Sequence, residues 1–250
     1  MSLDLSQLST IAWVLLGVAA LFVGISKTAI PGINTISIAI FAALIPAKES
    51  TGALLMLLIV GDVFALLAYR RDANLKVLLK LIPAVLVGLA LGGLFLWIAP
   101  DHWVRILIGA ILITVIGFTL YLRWRKSESV AQNSKFAGFG YGSLGGFTTM
   151  VANAGGPVMS MYFLASRFTV REFLGTAAWF FAAINLTKVP ISIGLGLINS
   201  QTFTLALFLA PGVVIGAFVG RRIASKISQQ LFDWLVIVLT ILGALYLLIF

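Results

Sequence analysis

Gly24-Ile-Ser-Lys-Thr-Ala-Ile-Pro-Gly32 interrupts an apolar stretch that runs from Ile11 to Ile45. Glycine, proline and small polar residues at such a point end one helix, and proline suits the first turn of the next. Irregular backbone at membrane depth is tolerated only inside a protein interior or against a water-filled cavity. A second stretch, Gly145-Gly-Phe-Thr-Thr-Met-Val-Ala-Asn-Ala-Gly-Gly-Pro157, repeats the pattern downstream. Paired interruptions at corresponding positions of two halves are the sequence mark of a transport binding site.

The surroundings of both stretches are membrane-like. Of 250 residues, 61% are hydrophobic and 10% charged, against about 25% charged in soluble domains. Apolar runs of about 20 residues, long enough to span hydrocarbon, recur along the chain. The expected fold class is an all-α polytopic integral membrane protein. A net charge of +9 arises from basic residues scattered through short loops, which is a topology signal and not a nucleic-acid surface. The absence of cysteine removes disulfides and thiolate chemistry, and a lone His102 removes a histidine metal cluster. Neither a metal nor a cofactor is expected. No basic residue precedes the first apolar run, so the start of the chain does not read as a cleaved signal peptide.

Uninterrupted helices are predicted over residues 51–69, 75–98, 103–122, 173–195, 202–219 and 231–250. Basic residues orient them. Arg70, Arg71, Lys76 and Lys80 follow the first helix, and Arg123, Arg125, Lys126 and Lys135 follow the third. Arg167 and Arg171 precede the fourth, while Arg221, Arg222 and Lys226 separate the last two. With these on the cytoplasmic side, only Lys48 and Arg105 occupy outer loops, and Lys27 and Lys188 fall within the membrane. Lys135 and Arg167 then share a side, so residues 136–165 must go in and return as a broken or re-entrant hairpin. The same reasoning makes residues 11–45 a hairpin and puts both termini on the outer side of a bacterial-type cytoplasmic membrane.

Hairpin plus three helices therefore occurs twice, in opposite orientations. The first half is residues 1–125, the linker 126–135 and the second half 136–250. Spacing agrees: Gly52 to Asp62 matches Gly175 to Asn185, and Pro83, Gly88 and Gly92 recur at the same intervals as Pro211, Gly216 and Gly220. An inverted repeat of this kind supports alternating access around a midplane site. The glycine pairs also let helix backbones pack closely, and exposed small-residue surfaces allow a homodimer.

Polar residues within apolar segments mark the candidate site, because ionisable side chains in hydrocarbon are paired, hydrated or functional. Ser26, Lys27, Thr28, Pro31, Gly32 and Asn34 belong to the first break. Lys27 either offers charge to an anion or satisfies the carbonyls that end its helix. Thr148, Thr149, Asn153, Gly155, Gly156 and Pro157 belong to the second, where free N–H groups of a new helix suit an anion. The bland alternative is that these glycines only make tight turns. Asp62 is the one acid deep in an uninterrupted helix, with Asn185 as its repeat counterpart. It neutralises Lys27 or Lys188, carries a proton, or is simply solvated in a cavity. Lys188 lies one turn from Asn185 and is either a second anion ligand or the partner of Asp62.

Both breaks, the basic loops and the duplicated layout resemble the sulfite exporter TauE/SafE family. Gly24 to Gly32 is similar to that family's N-terminal glycine-rich segment with its Ser-Lys pair, and Gly145 to Met159 resembles the equivalent segment of the second half. Family members often carry a denser glycine run before each proline, where this chain has Thr28-Ala29-Ile30 and Thr148 to Ala154. The resemblance implies Lys27, Pro31, Gly155, Gly156 and Pro157 as site residues. It also implies a small anion such as sulfite, another sulfur oxyanion, an organosulfonate or a carboxylate as substrate.

The expected function is a secondary transporter, an exporter of a small anion bound between half-helix starts, with proton coupling through Asp62. Its partners are the anion and membrane lipid. A channel-like permease is the alternative. An intramembrane enzyme is disfavoured by the absence of cysteine, the loop position of His102 and the adjacency of Ser26 and Lys27. No nucleotide-binding Gly-x-x-x-x-Gly-Lys-Ser/Thr loop is present.

Overall fold

In the computed structural model the described residues are 3–104, 135–166 and 168–228, with 106, 107, 110, 111, 114, 230, 231, 234, 235 and 238. The expected helices 103–122 and 231–250 and the linker 126–135 thus fall largely outside the described residues. Arg105, Arg123, Arg125, Lys126 and Arg167 also lie there.

Among the described residues the secondary structure is helical, without a β-strand. The first break separates α1 (Thr10–Thr28) from α2 (Asn34–Leu44). Two long helices follow, α3 (Ala47–Tyr69) and α4 (Leu75–Ile98). The second break separates α5 (Lys135–Ala152) from α6 (Gly155–Ala165), and α7 (Val170–Gly194) and α8 (Ser200–Ala224) come next. Five of these, α1, α3, α4, α7 and α8, are long and apolar enough to cross a membrane.

Capping chemistry sets the ends. The Asn74 side chain accepts from the Val77 N–H and starts α4 at the expected residue. α3 starts at Ala47, four residues before the expected Thr51, because the Asp101 carboxylate accepts from the N–H groups of Ala47 and Lys48 at 3.3 and 2.8 Å. An anion at that position both satisfies free donors and opposes the helix dipole. Thr169 caps α7, so it starts at Val170 and not Phe173. α8 opens with an Asn199–Thr202 capping box and continues past Val219 to Ala224, with Arg221 and Arg222 in its last turn, where positive charge is favourable. Pro83, Pro190 and Pro211 lie inside α4, α7 and α8 without ending them.

The molecule is apolar outside as well as within. Ile11, Leu67, Leu79, Trp97 and Phe208 are each more than 60% exposed, whereas Asp62, Asn185 and Lys188 are at most 2% exposed. Large outward hydrophobic side chains suit contact with lipid tails, and buried polar ones mark the interior of a membrane bundle. Trp97 and Trp103, at either side of the α4 end, are exposed as interfacial anchors.

Two helix pairs pack with backbones nearly touching: α1 along α8, and α4 along α5. At the first, a Cβ on Gly24 would run into the Val213 carbonyl, and one on Gly216 into that of Leu21. At the second, a Cβ on Gly146 would strike the Val85 carbonyl, and one on Gly88 that of Ser143. Hydrocarbon supplies no hydrophobic drive between helices, so such close approach is what holds them together. The glycines of α4 and α8 thus face the broken helices α5 and α1 respectively. Each interrupted helix leans on a helix remote from it in the sequence, and the two breaks lie face to face.

Candidate functional site

The first break is closed by side chains that reach back to stray carbonyls. Tyr69 donates its hydroxyl to the Thr28 carbonyl at 2.8 Å, and Thr28 donates to the carbonyls of Gly24 and Ala217, each at 3.0 Å. Ser26 donates to the Pro31 carbonyl at 3.0 Å. Pro31 opens a short 3-10 turn, Pro31–Ile33, that feeds into α2.

The second break turns on Asn153, which adopts φ 54°, a left-handed conformation that asparagine tolerates better than most residues. Its N–H donates to the Thr149 carbonyl at 3.0 Å, and the Ala154 N–H donates to that of Thr148 at 3.1 Å. The Asn153 side chain donates to the Thr51 carbonyl at 2.9 Å and accepts from the Lys188 ammonium at 2.5 Å. Asn34 donates to the Asn153 main-chain carbonyl at 3.4 Å, and a Cβ on Gly156 would lie 3.8 Å from the Pro31 carbonyl oxygen. The two interruptions therefore meet.

A small cavity sits where they meet. Its polar wall is Ser26, Lys27, Asn34, Thr149, Asn153 and Asn185, joined by Pro31 and Gly156 from the two turns. Leu58 of α3 and Leu174, Ala177, Ala178 and Phe181 of α7 complete it. Its volume is about 30 Å³, where one water needs roughly 10–15 Å³, so only a very small guest fits without the walls moving.

The electrostatics are asymmetric. Lys27 donates to one Asp62 oxygen at 2.6 Å and Asn185 donates to the other at 2.6 Å. The Lys27 ammonium also lies 4.8 Å from the centre of the Phe181 ring, a cation–π contact. Lys188 is fully buried and donates to the Thr149 carbonyl and the Asn153 side chain, both at 2.5 Å. Among the described residues no carboxylate lies within ion-pair distance of Lys188. With both lysines protonated and Asp62 ionised, the region carries one net positive charge. Such a region attracts an anion and repels a cation.

Of the candidate residues at the breaks and on the facing helices, Ser26, Lys27, Pro31, Asn34, Thr149, Asn153, Gly156 and Asn185 line the cavity. Thr28 points instead to α8, through its bond to Ala217. Gly32 lends its carbonyl to Thr35, and Gly155 packs on Thr149. Thr148 donates to Gly145 and borders a separate apolar hollow. Pro157 lies in the first turn of α6. Asp62 stands behind Lys27, and of its two expected partners it takes Lys27. Lys188 is neither on the cavity wall nor bonded to Asp62: it ties down the end of α5, which its place one turn beyond Asn185 does not reveal. The apolar wall escapes a search for polar residues, although Leu174, Ala177, Ala178 and Phe181 fall at helical spacing on the face of Asn185.

A polytopic helical membrane protein whose broken helices enclose a charged internal cavity has the construction of a membrane transporter. The chain belongs to the sulfite exporter TauE/SafE family, whose model matches residues 16–247. No curated protein and no solved structure matches it. Membership makes this a multi-pass inner-membrane protein of bacterial type that transports anions and is not an enzyme. Among the described residues no cluster of three or more His, Cys, Asp or Glu could hold a metal ion.

Proposed function

We propose that the protein is a secondary exporter of a small oxyanion, sulfite or a close relative, held between the two breaks with Lys27 as its cationic ligand. The observation that carries this reading is the meeting of the two broken helices around one cavity that Lys27 enters. Its volume, about 30 Å³, favours a compact oxyanion over an organosulfonate or carboxylate with a long tail. Gly156, in the first turn of α6, lines the cavity, and first-turn N–H groups supply donors that need no counter-ion. An inside-negative potential drives a monoanion outward by about 2.3 kcal/mol per charge per 100 mV.

The halves 1–125 and 136–250, joined by the linker 126–135, act as an inverted repeat with both termini outside. Supporting this, the Gly24–Val213 and Gly216–Leu21 contacts recur as Gly146–Val85 and Gly88–Ser143, with an offset of 122 residues on the hairpin side and 128 on the other. Rocking of each hairpin with its partner helix would expose the site to one side and then the other. An arriving anion competes with Asp62 for Lys27. Once released, Asp62 can take a proton, which couples the two movements. Small-residue surfaces would serve a homodimer.

The test is flux of sulfite from proteoliposomes. Lys27→Ala, in protein that remains monodisperse, should lose at least about 90% of saturable flux, as expected when a desolvated charge pair to the substrate is removed. Unchanged saturation and rate would remove Lys27 from the site.

A further inference from the structure

Among the described residues, two acceptor atoms near this cavity have no donor. Asn34 and Asn185 both line it and are 7% and 1% exposed, and the side-chain oxygen Oδ1 of each is buried without a hydrogen bond. Neither amide can turn round to cure this. Asn185 must present Nδ2 to Asp62, since a carboxylate only accepts. Asn34 must present Nδ2 to the Asn153 carbonyl, which likewise only accepts. Their oxygens are thereby fixed as acceptors, and a buried acceptor left unpaired is costly.

The rest of the wall offers the opposite chemistry. The Lys27 ammonium and the N–H groups at the start of α6 are donors, and they suit a bare anionic oxygen. A ligand that satisfies both sides needs anionic oxygen at one end and an acidic hydrogen at the other.

Resting on the anion-site reading, we propose that the cavity is selective for a protonated monoanion, an oxyanion bearing one O–H. Its ionised oxygens face Lys27 and α6, and its hydroxyl donates to Asn34 Oδ1 or Asn185 Oδ1. The fully deprotonated ion lacks that donor and brings a second negative charge to a region where, among the described residues, Lys27 is already paired with Asp62. Selection is thus by protonation state as well as by size. The two asparagines act as specificity determinants, and Asp62 orients one of them.

The experiment compares ions of equal charge and similar shape, each pair at a pH where its hydrogen-bearing member is the dominant form, by calorimetric binding to the purified full chain. Hydrogensulfite is paired with chlorate, and hydrogencarbonate with nitrate; in each pair only the first carries a hydrogen. The hydrogen-bearing ion should bind tighter by on the order of tenfold or more, as expected for one buried acceptor satisfied against one left bare. Asn34→Ala should shrink that ratio by weakening the hydrogen-bearing ion more than its partner. Asn185→Leu provides a second variant if the first does not fold. Equal affinities within each pair would overturn the selectivity and leave the anion site standing, a trapped water then supplying the missing donors. Binding that requires sodium, tested against choline, would also overturn it by assigning the two oxygens to a cation. Failure of all four ions to bind, with Lys27→Ala flux unchanged, would instead reject the anion site itself.

Discussion

Asp62→Leu should destabilise the folded protein by about 3–5 kcal/mol, because it strands the Lys27 ammonium in a buried position. Lys27 and Asp62 have side chains only 9% and 3% exposed and meet at 2.6 Å, so little solvent is at hand to take over. Asn185 would lose its acceptor in the same variant. Thermal unfolding in detergent measures the effect. Removing both charges, in Lys27→Met with Asp62→Leu, should recover most of the lost stability, since a buried pair replaced by apolar groups is often neutral. Transport should not recover. That contrast separates the folding role of the pair from its role at the site. Asp62→Asn sharpens it further. Neutral asparagine keeps an acceptor for Lys27 but cannot carry a proton, so flux should lose the pH dependence that proton coupling predicts for the parent. An Asp62→Leu protein as stable as the parent would mean that water reaches Lys27 freely.

Gly88→Val and Gly216→Val should each cost about 3 kcal/mol or more, the upper range for overpacked cores. A Cβ at either position runs into a main-chain carbonyl of the facing helix, Ser143 for one and Leu21 for the other. Backbone cannot swing aside as a side chain can, so α4 must move off α5, or α8 off α1. The two substitutions should behave alike, because the two contacts are equivalents in the proposed repeat. Gly17 is the control: it lies in α1, the helix that Gly216 faces, but a Cβ there meets nothing within 4 Å. Gly17→Ala should be neutral or stabilising by up to about 1 kcal/mol, the helix-propensity gain. Detergent melting of the three variants beside the parent suffices. A tolerated valine at position 88 or 216 would contradict the close helix contact.

Where apolar length and glycine–proline punctuation carry the signal, the fold is legible in the sequence. Residues 75–98 have the bounds their sequence predicts, because Asn74 caps them at one end and Pro100 follows at the other. The breaks are legible for the same reason, down to the ends of α1 and α5. The start of α3 is not: Lys48, Glu49 and Ser50 look like a loop, and only the distant Asp101 carboxylate makes that turn helical. Partners are harder than positions. The intervals of Gly88 and Gly216 announce close packing, but not that each faces an interrupted helix remote in the sequence. Spacing puts Lys188 near Asn185 on one helix, yet its partners Thr149 and Asn153 are 39 and 35 residues away in the chain. Tertiary approach of that kind leaves no local trace.

The shared anion site is tested most directly by crystals grown with selenite, a heavier analogue of sulfite whose selenium scatters anomalously. The chain contains no cysteine, so selenite has no thiol to react with. The expected result is a single anomalous peak between the turns at Pro31 and Gly156, within hydrogen-bonding reach of the Lys27 ammonium. That peak should vanish in Lys27→Ala. A peak elsewhere in the bundle, with the space between the two breaks empty, would contradict the site.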